Sequence, residues 1–379
     1  MERIKIAEVS TQIRGVSYKP SDLRDSTDPE AVILLRANNI GEGKINFDDI
    51  VYVDKKRITE DQYLKKGDIL ICASSGSKNL VGKAAGFDLD VKCTFGAFCK
   101  VVRPTECNPE YLSLYFMSDA YGRKITASAI GANINNIRNE HIDSLEINIY
   151  PEEENEIICK LRAIRQIVEF RKSQLSALDT LIKARFVEMF GDIGSGAYRH
   201  DCRRLGDVAY VGSSHRVFTT EFVDEGIPFY RGTEIGELSN GVQPENPFYI
   251  TEEHYQRLTS DETKPKIGDL LMPSICNKGQ VWMVDTEKPF YYKDGRVLCI
   301  SADRMVFNTK YLQYFMREKT ELEYPKLGSG STFAEFKIFQ LKGMEVLTPP
   351  IELQNAFAAF VSEVDKSKFY GDICAAFCG

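Results

Sequence analysis

The chain has 379 residues, 43% of them apolar and 27% charged, with a formal net charge of −7. That length exceeds one ordinary domain and suggests two domains plus a connector, and the composition is that of a globular protein, not a disordered one. No apolar run reaches the ~18 residues a membrane span needs, and the Met1–Ile4 start lacks a signal-peptide core, so a cytoplasmic protein with no membrane partner is expected. Net acidity speaks mildly against nucleic acid, yet a local basic patch can sit on an acidic whole. The ten cysteines form no C-x-x-C, and His141, His200, His215 and His254 lack metal-ligand spacing. Free thiols are expected and a metal is not.

Residues 1–150 alternate apolar runs with turn signals. The runs 31–35, 44–53, 67–74, 93–102 and 144–150, rich in β-branched and aromatic residues, predict strands. Asn108 opens a helix over 109–125, with Leu112, Tyr115, Phe116 and Tyr121 on one face.

Next comes the longest periodic stretch, 151–193. Steps of four and three from Ile157 give Ile157, Leu161, Ile164, Val168, Arg171, Leu175, Leu178, Ile182, Arg185 and Met189, a mostly apolar heptad seam that predicts a partner helix. No Pro or Gly interrupts it between Glu152 and Phe190, and Gly191 supplies the stop. At ~1.5 Å per residue it would be roughly 58 Å long.

The plan then repeats. Strands are predicted in 226–232, 246–250, 268–274, 279–285 and 296–302, and a helix in 309–323. Gly67-Asp68-Ile69-Leu70 answers to Gly268-Asp269-Leu270-Leu271, Tyr111–Met117 to Tyr311–Met316, Gly131 to Gly330, and Pro151-Glu152-Glu153 to Pro350-Ile351-Glu352, all at an offset of about 200 residues. Four matches in order imply duplication. The second copy ends in a helix with Leu353, Phe357, Phe360 and Val364 at helical spacing. There Tyr370-Gly371-Asp372-Ile373 echoes Phe190-Gly191-Asp192-Ile193, which predicts a helix shorter by about nineteen residues. The expected boundaries are 1–150 and 194–349 for the repeated domains, with 151–193 and 350–379 for the helices.

Catalytic motifs are missing. The stretch 76–83 has one residue too many for a phosphate-binding loop, and Ala84 stands where Ser or Thr should follow. No Asn-Pro-Pro-Tyr-type methylation motif, no Pro-Asp dipeptide and no G-x-S-x-G occurs, so no enzyme is expected.

This organisation resembles the specificity subunit of Type I restriction–modification enzymes. The carrying residues are Arg14-Gly15-Val16-Ser17-Tyr18-Lys19, Gly226-Ile227-Pro228-Phe229-Tyr230-Arg231-Gly232, the helix openings at Pro151 and at Pro349-Pro350 before Ile351-Glu352-Leu353-Gln354, and Leu178–Phe190 before Gly191-Asp192. The resemblance implies an α+β fold: two mixed, β-rich target-recognition domains, each followed by a long helix, the helices packing as an antiparallel coiled coil. It implies a non-catalytic subunit that reads a split site on double-stranded DNA. Methylation subunits and restriction motor subunits would be its partners, and S-adenosylmethionine, ATP and magnesium would sit on those partners, not on this chain. The short second helix departs from the pattern and raises a homodimer as one expectation.

Two loop pairs recur at matching places: 74–79 with 274–280, and 131–138 with 328–332. Their Ser, Asn, Gln and Lys residues are types that read base edges or grip phosphates. The expected DNA contacts are Arg14, Lys19, Arg36, Ser75, Ser77, Lys78, Asn79, Asn133, Asn135, Arg138, Arg231, Ser274, Asn277, Lys278, Gln280, Ser331 and Thr332. Lys83, Lys92, Arg216 and Arg296 are further phosphate candidates, and Trp282 is expected in the core. A non-DNA protein-binding scaffold using the same loops is the competing expectation, and it predicts salt-insensitive complexes.

Overall fold

The computed structural model describes residues 2–41, 43–76, 80–130, 136–260, 263–328 and 334–377, with backbone alone for 128–130 and 369–377. It divides into two compact units, Met1–Glu169 and Phe170–Gly379.

The first unit begins with β1 (Glu2–Lys5), α1 (Ile6–Val9), β2 (Ser10–Arg14), β3 (Leu23–Arg24), β4 (Ala31–Leu35) and β5 (Val51–Asp54). It continues through β6 (Asp68–Cys72), β7 (Ala84–Phe87), β8 (Cys93–Phe95), β9 (Cys99–Pro104), α2 (Pro109–Phe116) and α3 (Asp119–Ile130). Then come α4 (Asn139–Asp143), β10 (Glu146–Ile149) and the long α5 (Glu154–Phe190), which runs on into the second unit.

The second unit adds β11 (Gly191–Asp192), β12 (Ala197–Tyr198), β13 (Cys202–Arg204), α6 (Leu205–Val208), β14 (Ala209–Gly212) and β15 (Ile227–Tyr230). After these come α7 (Gly232–Ser239), β16 (Phe248–Ile250), α8 (Glu252–Leu258), β17 (Leu270–Pro273), β18 (Trp282–Met283) and β19 (Tyr291–Tyr292). The chain closes with β20 (Val297–Ala302), α9 (Thr309–Glu323), α10 (Ile338–Gly343), β21 (Glu345–Leu347) and α11 (Ile351–Phe377).

The two units share one mixed α/β plan. One sheet has the order β2-β9-β6-β7 in the first unit and β14-β20-β17-β18 in the second. Another runs β3-β5-β4-β8 against β16-β15-β19. The pairing senses match too: β4–β8 and β15–β19 are parallel, while β4–β5 and β15–β16 are antiparallel. Asn108 and Asn308 cap α2 and α9 through the same side-chain oxygen, each accepting from the second and third residues of its helix. Strands buried on both faces hold each core: every residue of β6 and of β17 is buried.

Local corrections follow from turn chemistry. The run 93–102 is two strands in two sheets, because the chain turns at Gly96–Phe98. The run 44–53 forms a strand only from Val51, after the turn at Asp48-Asp49, and 279–285 only at Trp282–Met283. The helix over 109–125 is two. Ser118 breaks it by donating Oγ to Tyr115 O at 2.7 Å and accepting from Tyr121 N at 3.3 Å, so a side chain replaces backbone pairing. Leu112, Phe116 and Tyr121 are buried as expected, whereas Tyr115 is half-buried.

The heptad seam is not what is buried on α5. Ile182 is buried; Ile157, Leu175, Leu178 and Met189 are half-buried; Leu161, Ile164 and Val168 are 39%, 52% and 47% exposed. Phe186 and Phe190, off the seam, are buried instead. The stripe Leu178, Ile182, Phe186, Phe190 advances by four, and each such step turns ~40° round the helix, which carries the buried face off the 3.5-residue seam. Phe357 of α11 meets Phe186 at 5.4 Å and Phe190 at 5.6 Å, ring centre to ring centre, and Arg171 donates to Lys368 O at 2.7 Å. These segments of α5 and α11 therefore run side by side in opposite directions. The final helix is also longer than its echo suggests: α11 has 27 residues against 37 for α5, and it continues through Gly371. At Gly191 the chain does turn. Its φ is +95°, and a Cβ there would lie 2.1 Å from Ala197 O.

Candidate nucleic-acid interface

In each unit three segments converge at strand ends of the two sheets. In the first, Ala73 N and Ser74 N both donate to Phe98 O, at 2.9 and 3.0 Å, and Ile137 N donates to Ala73 O at 2.7 Å. In the second, Ser274 N donates to Arg296 O at 2.8 Å, and Phe336 N to Ser274 O at 2.7 Å. The segment after β6 or β17, the turn before β9 or β20, and the segment entering α4 or α10 are thus tied by the same bonds. The loop pairs singled out by sequence meet here through their flanks. Ser77, Lys78, Asn79, Asn133, Asn135, Ser331 and Thr332 themselves lie outside the described residues.

Beside this junction a further pair of residues corresponds. Arg36 follows β4 and Arg231 follows β15, and each backbone N–H is capped by the side chain three residues on, Asn39 or Glu234. Arg36 Nη2 donates to Asp49 Oδ2 at 2.8 Å, while its Nε is buried without an acceptor among the described residues. Asp49 has φ +49°, the left-handed region, and also accepts from Asn38 Nδ2. A cavity of about 310 Å³ opens at this point, lined by Val16, Tyr18, Arg36, Gly96 and Phe98 among others.

Arg231 is held more tightly. Its guanidinium bonds Glu234 and lies 4.5 Å above the Phe248 ring, which stacks on Phe222. Burial works to raise the Glu234 pKa, but the hydrogen bonds from Arg231 outweigh it and keep the carboxyl below its ordinary range. Arg231 therefore serves the protein itself first.

Ser274 departs from expectation. It is buried, and its Oγ donates to Glu335 Oε2 at 3.2 Å, so it braces a carboxylate and cannot reach a groove. That Glu335 oxygen also accepts from Arg296 Nη1 at 2.8 Å, and Lys337 holds the other. The hydrogen bond from Lys337, against the opposing effect of burial, keeps the Glu335 carboxyl below its ordinary range. Ser75 and Gln280 are half-buried; Asn277 and Lys278 are exposed in a turn where Gln280 Oε1 accepts from Lys278 N at 3.0 Å. Arg14, Lys19 and Arg138 are exposed; Lys19 N donates to Asp22 Oδ2 at 2.8 Å, and Arg138 lies 4.0 Å from Glu140. Trp282 is in the core at 5% exposure. Among the described residues no group of His, Cys, Asp and Glu could hold a metal, and no helix is long and apolar enough to cross a membrane.

Residues 1–175 match the family model described as the Type I restriction modification DNA specificity domain. The Type I restriction enzyme StySPI specificity subunit of Salmonella potsdam is 37% identical over 180 residues, 47% of this chain and 39% of that protein. The match thus spans about two fifths of the length of that curated relative. In fold the likeness reaches further. A chain from a type I R-M system, solved in work on its complex assembly and conformational transition, superposes with a TM-score of 0.53 at 18% identity, covering 100% of this chain and 93% of its own. The S subunit of the Type I restriction–modification system of M. genitalium also gives 0.53, at 12% identity, covering 99% and 92%. The resemblance to Type I specificity subunits is borne out: by sequence for the specificity domain of residues 1–175, and by fold for the whole chain.

Two site residues escaped the sequence reading. Phe98 offers no polar signal, and Glu335 carries no sign that a serine sixty-one positions earlier would hold it.

Proposed function

We propose that the chain is the DNA-reading component of a Type I restriction–modification complex, each unit recognising one half of a split target. The reading is carried by one observation: two units of the same strand order present the same three-segment junction, and the first lies in a specificity domain. The bases Arg14, Lys19, Arg138 and Lys278 would grip phosphate, while Asn277, Gln280 and the loops 77–79, 131–135 and 329–333 would face base edges. The long helix between the units would set the gap between half-sites, and α5 with α11 would form the antiparallel coiled coil on which methylation subunits dock. Leu161, Ile164, Ile167, Val168 and Phe170, exposed on α5, support such a protein partner.

In this scheme the chain performs no chemistry. Partner subunits would bind S-adenosylmethionine and methylate adenine, and an ATP- and magnesium-dependent motor subunit would cleave. Whether two copies pair is decided by sizing the purified chain with its methylation partner. Co-expression with that partner, followed by mapping of adenine methylation, tests the function. A methylated two-part motif with a constant gap is expected, and methylation with no common sequence would refute the reading.

A further inference from the structure

At one corresponding position the two junctions present side chains of opposite chemistry. Phe98 and Arg296 hold equivalent places, since each backbone oxygen accepts the N–H of the segment that follows the central strand β6 or β17. Both turns are pinned. Gly15 lies so close to the first that a Cβ on it would be 2.1 Å from Gly96 O. In the second, Ser213 Oγ accepts from Gly295 N at 2.9 Å and donates to Val297 O at 2.7 Å. The backbone is therefore set on both sides of the position, and what varies between the units is the group it presents.

The groups are opposite in chemistry. Phe98 is 69% exposed, a bare hydrocarbon ring at the rim of the cavity beside Arg36. A lone exposed ring is ordinary on a protein surface; one on a pinned turn at the junction of the recurring loops is not. The Arg296 side chain is 57% exposed, and Glu335, itself braced by Ser274 and Lys337, holds one end of its guanidinium. Among the described residues the remaining donors of the fork bond nothing else, which leaves them for an external acceptor. In the major groove thymine offers the one apolar group, its C5 methyl, whereas guanine offers two acceptors, O6 and N7, matched to arginine.

We propose that this turn position determines one base pair in each half-site, Phe98 selecting a thymine through its methyl group and Arg296 selecting a guanine, with Glu335 as the positioning residue for Arg296. The inference rests on the DNA-reading function proposed above and assigns specificity within it.

The test uses the full chain assembled with its methylation subunits and a pool of duplexes randomised across the target, read out as the methylated sequences. Phe98→Ala should relax one position of one half-site roughly tenfold, and Phe98→Arg should shift that position towards guanine. Arg296→Gln should relax one position of the other half-site by a similar factor, and Glu335→Gln should relax that same position by less. Both half-sites should keep their other preferences, and the melting temperatures of the variants should match the parent. An unchanged profile, a uniform loss across all sequences, or a lowered melting temperature in Phe98→Ala would overturn the inference while the DNA-reading function stands. If the parent complex shows no sequence preference, both fall.

Discussion

Burial sorts the cysteines of this chain into inert and reactive ones. Cys72, Cys93, Cys99, Cys276 and Cys299 are buried, and burial pushes the thiols of Cys93, Cys99 and Cys299 up to about 12 and those of Cys72 and Cys276 to about 11. Cys159 on α5 is exposed. The thiolate is the reactive form, so at pH 8 a thiol reagent should, among the described cysteines, label Cys159 first and the five buried residues only in denaturant, as peptide mass mapping would show. Glu234 supplies a second prediction. Its folded-state pKa is depressed below 4.5, so its share of the stability is present above that value and lost as pH falls through the folded pKa. Glu234→Gln should cost stability at pH 7 and flatten the acid limb of a stability–pH curve; an unchanged limb would show that Arg231 holds nothing in place. The charge of these residues was legible in the sequence, but their pairing was not. Arg231 reads as a free cation until Glu234 and Phe248 are seen around it.

For the elements, the long helix was visible from its periodicity alone, and the structure keeps it from Glu154 to Phe190. Its packing face was not visible, because apolar residues occur on more than one side and the neighbour selects among them. Phe186 meets Phe190, Tyr311, Tyr314 and Phe357 within about 6 Å ring to ring. Phe186→Ala should therefore cost about 3–5 kcal/mol of the second unit's stability. Ile164→Ser, at 52% exposure, should stay within about 0.5 kcal/mol in the chain alone. Urea unfolding of both variants checks this contrast, and equal losses would return the heptad seam to the core. Strands behave differently: the runs opened by Gly-Asp match β6 and β17, while 93–102 divides into β8 and β9 because a turn of small residues inside an apolar run gives no change of period.

For the whole molecule, the net charge of −7 and the proposed partner pull in opposite directions. If Arg14, Lys19, Arg138 and Lys278 grip phosphate, the affinity of the assembled complex for its target should fall steeply with salt. Each of these residues changed to Ala should reduce the slope of log affinity against log salt by roughly one. A slope indifferent to all four would favour the protein-binding scaffold. The duplication, the helix between the copies and the absence of catalytic motifs were determined by the sequence itself, because repeats and periods are written in neighbouring residues. Only the tertiary structure decided that Ser274 faces inward to Glu335, that Phe98 and Arg296 occupy one place in two units, and that Phe186 and Phe190 carry the helix contact. Each of those outcomes depends on groups brought together across many residues of chain, where hydrogen-bond geometry and burial select among side chains that the local sequence leaves equivalent.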